Sequence, residues 1–258
     1  MRRALAAAAA LLPGIDVDGP RVRLGLAWAA IAVLAILLGP VTTSLVFAAV
    51  TLGAAGQACR SWRRQSRRPC RPVAVIGAFA CALAGGVGPV AVVAVAAGTA
   101  VAAVAATQRR WGGREGDARL TIAIGVLVGV GAASPAVIRD RLGVVAALSF
   151  LAWILTIDAS MFIVGSGASN RWEGIVAGAA SAGAIAIAVA AVLVPPFRGV
   201  SPWLLGAVAA MGVPAGTMAA TMLVGRDEAP VPALRRLDAY LVVGPVWAVV
   251  GRLLLDVV

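Results

Sequence analysis

The chain has 258 residues, of which 61% are hydrophobic and 13% charged, with a mean hydropathy of +0.97. No water-soluble domain of this length can hide so much apolar surface, so the bilayer is the expected solvent. The formal charge of +11 comes from 22 basic residues, every one an arginine; with no lysine or histidine, steps that need an imidazole or a side-chain amine are excluded.

Residues 1–20, MRRALAAAAALLPGIDVDGP, open with a basic pair and a short apolar run in the manner of a signal peptide. Cleavage would put residue 21 outside and reverse the arginine distribution described below. The expectation is therefore an uncleaved cytoplasmic segment, 1–21, lying on the membrane surface. A single transmembrane domain, 22–258, follows. Apolar runs near twenty residues long predict an all-α, polytopic integral membrane protein with nine spans. These are 22–39, 41–58, 73–88, 89–107, 119–137, 142–164, 174–195, 203–225 and 237–255. The third is short and glycine-rich. The linkers are too short for an extramembrane domain.

The first five spans are rich in Ala, Val and Gly, and segments such as GAFACALAGG and GTAVAAVAA read as close-packing helix surfaces. GVGAAS at 129–134 has the glycines of a nucleotide loop, but no strand precedes it. Trp62, Trp111, Trp172 and Trp203 fall at span edges, as an interfacial belt would. Cys59, Cys70 and Cys81 lie in or beside the cytoplasmic half, where thiols stay reduced. Their spacing does not suit zinc.

With the N-terminus inside, most arginines fall on the cytoplasmic side and only Arg139, Arg141 and Arg198 fall outside. This is the positive-inside pattern, and it puts the C-terminus outside. It accounts for the basic charge without nucleic acid. The expected partners are membrane lipids and either a second copy or another membrane protein. The loop 59–72, CRSWRRQSRRPCRP, can also gather anionic head groups.

The first five spans carry almost no ionisable residue, and after residue 150 carboxylates appear at span ends. Asp158 lies near the cytoplasmic end of the sixth span, Glu173 opens the seventh and Asp238 opens the ninth; Arg252 lies inside the ninth. Such groups are costly at membrane depth and are candidate functional residues. Three carboxylates at one face can share a hard cation such as Mg²⁺. Glu173 and Asp238 also suit helix N-termini, where the dipole favours negative charge. Asp158 has no such explanation, and its structural alternative is an ion pair with Arg171.

These positions also carry a resemblance. The segment 158–178, DASMFIVGSGASNRWEGIVAG, resembles the phosphatidate cytidylyltransferase family, the CDP-diacylglycerol synthases, at Asp158, Gly165 and Trp172-Glu173-Gly174. The segment 234–247, LRRLDAYLVVGPVW, is similar to the family's terminal stretch at Leu234, Arg236, Asp238, Leu241 and Pro245. The resemblance implies transfer of CMP from CTP to phosphatidate, with Mg²⁺ if the chain is active. It also implies a pocket of Asp158, Trp172, Glu173 and Asp238, with Asp158, Glu173 and Asp238 as metal ligands. Arg171, Arg226, Arg235 and Arg236 would be phosphate-binding.

The departures are large. The lysines before Trp-Glu-Gly are replaced by Ser169-Asn170-Arg171. The Gly-Asp opening the long signature aligns with Gly212-Val213, and the following Lys-Arg falls near Ala220-Thr221. The Gly-His-Gly-Gly stretch becomes Ala229-Pro230-Val231-Pro232. Arg235 stands where the family has a metal-binding aspartate. Losing one preorganised donor typically costs about 10²–10³ in rate. The leading expectation is a non-catalytic or strongly impaired cytidylyltransferase-like protein that binds lipid or a membrane partner, with no catalytic residue assigned. The alternative is a diverged active enzyme making a CDP-lipid, its metal held with the help of Asp227 or Glu228. An unrelated transporter is third, since inverted repeats and polar mid-span residues are lacking.

Overall fold

The structure is a computed structural model that describes residues 20–108, 115–168, 170, 172–225 and 230–255. The N-terminal segment 1–19 and the positions of Arg171, Arg226, Asp227 and Glu228 lie outside the described residues. Every regular element among the described residues is helical. In chain order they are α1 (Pro20–Leu38), α2 (Pro40–Arg64), α3 (Arg71–Ala84), α4 (Pro89–Gln108) and α5 (Glu115–Ile122). A π-helical turn (Ala123–Leu127) leads into α6 (Val128–Ser166), followed by α7 (Trp172–Val192) and α8 (Ser201–Val224). A 3₁₀ turn (Leu234–Arg236) and α9 (Tyr240–Leu254) close the chain.

Gly-Pro pairs punctuate the helices. Gly39 at φ 121° and Gly88 at φ 135° each precede the proline that opens α2 and α4. Glycine accepts the turn, and proline is preset for a first helical position, where its missing N–H loses nothing.

The expectation of nine spans is corrected. Among the described residues, six helices are long and apolar enough to cross a membrane: Pro40–Arg64, Pro89–Gln108, Asp117–Ser166, Trp172–Val192, Ser201–Val224 and Leu234–Leu254. Two expected spans are only the shorter apolar helices Leu24–Leu38 and Arg71–Ala84. At about 1.5 Å per residue, α3 measures about 21 Å, less than the roughly 30 Å hydrocarbon core. The expected fifth and sixth spans are one helical run of 50 residues.

That run is not straight. Gly143, at φ 85° and ψ 176°, interrupts the helical backbone of α6 and folds it back. Both arms lie along α9, in opposite senses. Before the break, Gly131 packs on Leu241, Gly244 on Ser134 and Gly251 on Leu142. After it, Phe150 contacts Trp247 with ring centroids 5.1 Å apart, and Asp158 interacts with Asp238 ahead of α9.

This run is the centre of the molecule. Its apolar window is 67% buried, against 17% for α4 and 22% for α7, which lie at the periphery. Lipid tails are as apolar as leucine, so helix association rests on close packing. Glycine provides it. A Cβ on Gly129 would fall 2.9 Å from Ala78 Cα, and one on Gly212 would fall 2.9 Å from Val243 Cα. GVGAAS is therefore a packing surface of α6. An aromatic chain runs through the interior from Trp28 through Phe47, Tyr240, Phe150, Trp247 and Trp153 to Phe197, with successive centroids 5.1–6.2 Å apart. Such pairs contribute about 0.5–1.5 kcal/mol each beyond burial. Trp153 and Trp247 are wholly buried, while Trp172 and Trp203 are 39% and 50% exposed.

Candidate functional site

The site is built around the 3₁₀ turn before α9, and α2 holds that turn in place. Gln57 Oε1 accepts hydrogen bonds from the Ala233 and Leu234 backbone N–H groups at 3.1 and 3.4 Å. One turn on, Ser61 Oγ and Gln65 Nε2 donate to the Val224 carbonyl at 2.6 and 2.9 Å, and Trp62 Nε1 donates to the Leu223 carbonyl at 2.8 Å. These contacts satisfy carbonyls at the end of α8 that have no intrahelical partner. They fix both ends of the 225–233 connection to one helix. Gly216 of α8 then packs directly beneath the Asp238 carbonyl oxygen, where any side chain would collide.

Asp238 is 8% exposed. Its Oδ1 accepts the Ala239 N–H at 2.7 Å, and its Oδ2 lies 3.6 Å from Arg235 Nη1. Asp158, from the returning arm of α6, is exposed at the surface. It is near enough to Asp238 for their charges to repel and near enough to Arg236 for attraction. Two carboxylates from segments about eighty residues apart therefore meet with two guanidiniums. Burying the Asp238 charge is unfavourable unless it is paired, and the Arg235 guanidinium pairs it.

Glu173 does not join this pair. It is exposed in the first turn of α7, next to Trp172. Among the described residues, no group of three His, Cys, Asp or Glu side chains lies close enough to hold a metal ion. Mg²⁺ demands near-octahedral oxygen ligation. One Asp238 oxygen is bonded to a backbone N–H and the other is paired with a fixed cation. The described residues therefore do not fit a resident Mg²⁺. Arg171 and Arg226, expected to bind phosphate, lie outside the described residues. Cys59, Cys70 and Cys81 are free and buried.

Tyr240 was not among the expected site residues. It is 2% exposed, and among the described residues its hydroxyl has no hydrogen-bond partner of good geometry, with Trp28 beside it. Both Asp158 and Asp238 are near enough to act on it electrostatically. It is the only tyrosine in the chain, two residues past a membrane-depth aspartate. That singularity was the one signal available.

The arginines divide between two ends of the bundle. Arg235, Arg236 and the α2–α3 connection lie at one end: Gly25 at the start of α1 approaches Arg236, and Arg68 N–H bonds Asp117 Oδ1 at 3.2 Å. At the other end, Arg139 Nε donates to the Ile36 carbonyl at 2.9 Å, and Arg141 lies over Gly88. No protein-family model, curated protein or solved structure matches the chain.

Proposed function

We propose that this chain is a non-catalytic, cytidylyltransferase-like membrane protein that binds phospholipid head groups at its arginine-rich end. One observation carries the reading: the Arg235 guanidinium lies 3.6 Å from the Asp238 carboxylate, with Asp158 alongside. The two segments that resemble the family come together in space, which supports a shared ancestry for the site. Within it, Arg235 supplies a fixed positive charge to Asp238. A guanidinium can neutralise phosphate charge and bond it in a bidentate manner. It cannot polarise a phosphoryl group as a Lewis acid or lower the pKa of a bound water, which are the services of a metal. The site is thus unsuited to driving CMP transfer, while its guanidiniums, together with the arginines of the α2–α3 connection, give this end the donors an anionic head group needs.

On this reading the arginine-rich end faces the cytoplasm. The start of α1 lies on that side and the end of α9 lies opposite, as the packing of Gly25 near Arg236 and of Gly251 on Leu142 supports.

The test is a CTP-dependent pyrophosphate-release assay on the purified chain with phosphatidate and Mg²⁺. The expected result is no turnover, alongside phosphatidate binding that persists in a chelator and weakens in Arg236→Gln. Robust CDP-lipid formation, abolished by Asp238→Ala, would establish the diverged enzyme instead.

A further inference from the structure

The end of the bundle remote from Asp238 carries a second feature. An apolar groove of about 390 Å³ runs between the start of α4, the Gly143 reversal in α6 and the last turns of α9. That volume falls within the roughly 300–1,000 Å³ of ligand clefts. Pro89, Val137, Val249 and Leu253 are among its walls, and Arg141 and Arg252 stand on it as its charged groups. Val249 and Leu253 are 62% and 79% exposed, so this surface is open to the lipid phase.

The two arginines arrive from different helices. Arg141 is held from two sides: its Nε pairs with Asp140 Oδ2 at 3.0 Å, and its Nη2 occupies the space where a Cβ on Gly88 would stand, 2.9 Å away. Gly88, at φ 135°, both makes the turn into α4 and leaves room for the guanidinium. Arg139 is directed elsewhere, onto the Ile36 carbonyl. Arg252 is exposed in the last turn of α9, one turn from Val249. A cation there also suits the helix dipole and can extend toward the head groups, which would explain it alone. Neither effect explains why Arg141, from another helix, lines the same groove. Among the described residues, two guanidiniums against the Asp140 carboxylate leave excess positive charge beside a hydrocarbon-lined channel. An apolar ligand would gain nothing from that charge, and a free anion nothing from the channel.

We propose that this groove binds one anionic phospholipid, an acyl chain lying along Pro89, Val137, Val249 and Leu253 and the phosphate bridged by Arg141 and Arg252. Guanidiniums suit this role because their planar donor forks match phosphate oxygens. Basic pockets between membrane helices hold anionic head groups on the cytoplasmic side, and this groove offers the same kind of donors at the opposite end. The inference does not depend on the reading of the Asp158–Asp238 site, since no residue is shared.

Native mass spectrometry of the full chain, with phosphatidylglycerol, phosphatidylcholine and diacylglycerol offered separately, tests it. The wild type is expected to retain phosphatidylglycerol over phosphatidylcholine by about tenfold or more, as two basic contacts should confer. Arg141→Gln with Arg252→Gln should abolish that preference, and the lysine pair should keep part of it. Val249→Trp, which fills the groove without altering charge, should weaken retention as well. The proposal is overturned if the glutamine pair keeps the preference or if Val249→Trp binds normally. It is equally overturned if only Arg235→Gln with Arg236→Gln removes the retained lipid, because that loss would locate binding at the other end.

Discussion

Arg235 and Asp238 make the decisive contact of the candidate site, and their consequences are local. Removing one partner strands the other in a poorly hydrated place. Breaking a fully buried pair costs about 3–5 kcal/mol. Arg235 is 34% exposed, so the loss here should fall at or below the lower end. Asp238→Ala and Arg235→Ala should each lower stability, while the double variant should lose less than their sum, with a coupling of about 0.5–3 kcal/mol. Tryptophan fluorescence during thermal or denaturant unfolding measures this cycle. Strict additivity would show that the 3.6 Å approach contributes nothing. Asp158 and Asp238 were legible in the sequence because an aspartate at membrane depth is conspicuous. Their meeting was not, since α6 first has to fold back. Tyr240 carries no such mark, since a tyrosine near a span end is ordinary in a membrane protein.

At the scale of elements, Gly143 controls the most. It turns a 50-residue helical run into two arms, and only the second arm brings Asp158 to Asp238. Its φ of 85° with ψ of 176° belongs to a region that side chains avoid, while no atom lies within 4 Å of where a Cβ would stand. The penalty for Gly143→Ala is therefore conformational, about 1–3 kcal/mol. Gly183 in α7 also has open space around its missing Cβ, but its φ is not in the left-handed region. Gly183→Ala should be neutral or stabilising by up to about 1 kcal/mol. Unfolding midpoints of the two variants in the same detergent compare space with strain. Equal behaviour would remove the argument that the reversal depends on glycine. The expected separate spans 119–137 and 142–164 are one helical run, and its reversal was not legible in the sequence because it rests on one residue's dihedral angles.

For the whole molecule, the arginine distribution predicts orientation. Cys59, Cys70 and Cys81 are buried, so an introduced surface cysteine should report with little background. Gly167, just after α6, lies at the Asp158 end, and Val200, just before α8, lies at the opposite end; both are exposed. With a membrane-impermeant thiol reagent added to intact cells, Val200→Cys should label and Gly167→Cys should label only after permeabilisation. The reverse pattern would invert the proposed orientation and with it the side from which the arginine-rich end is reached.

Composition determined that this protein lives in a bilayer, and its apolar runs near twenty residues determined that it is helical, because a backbone crossing in such runs satisfies its polar groups within the helix. Composition also marked the acidic residues and the arginine-poor end, since charge near hydrocarbon is costly wherever the chain folds. It could not decide how many helices are long enough to cross, because hydropathy does not register a 14-residue helix or a reversal inside a continuous one. Nor could it decide partnership. Asp158 and Glu173 are fifteen residues apart and look like one cluster, yet it is Asp158 that lies close enough to repel Asp238, eighty residues away. Arg141 and Arg252 likewise share a groove only because α9 packs along the Gly143 reversal. Those choices belong to tertiary structure, where close approach at glycine, rather than local propensity, selects which side chains meet.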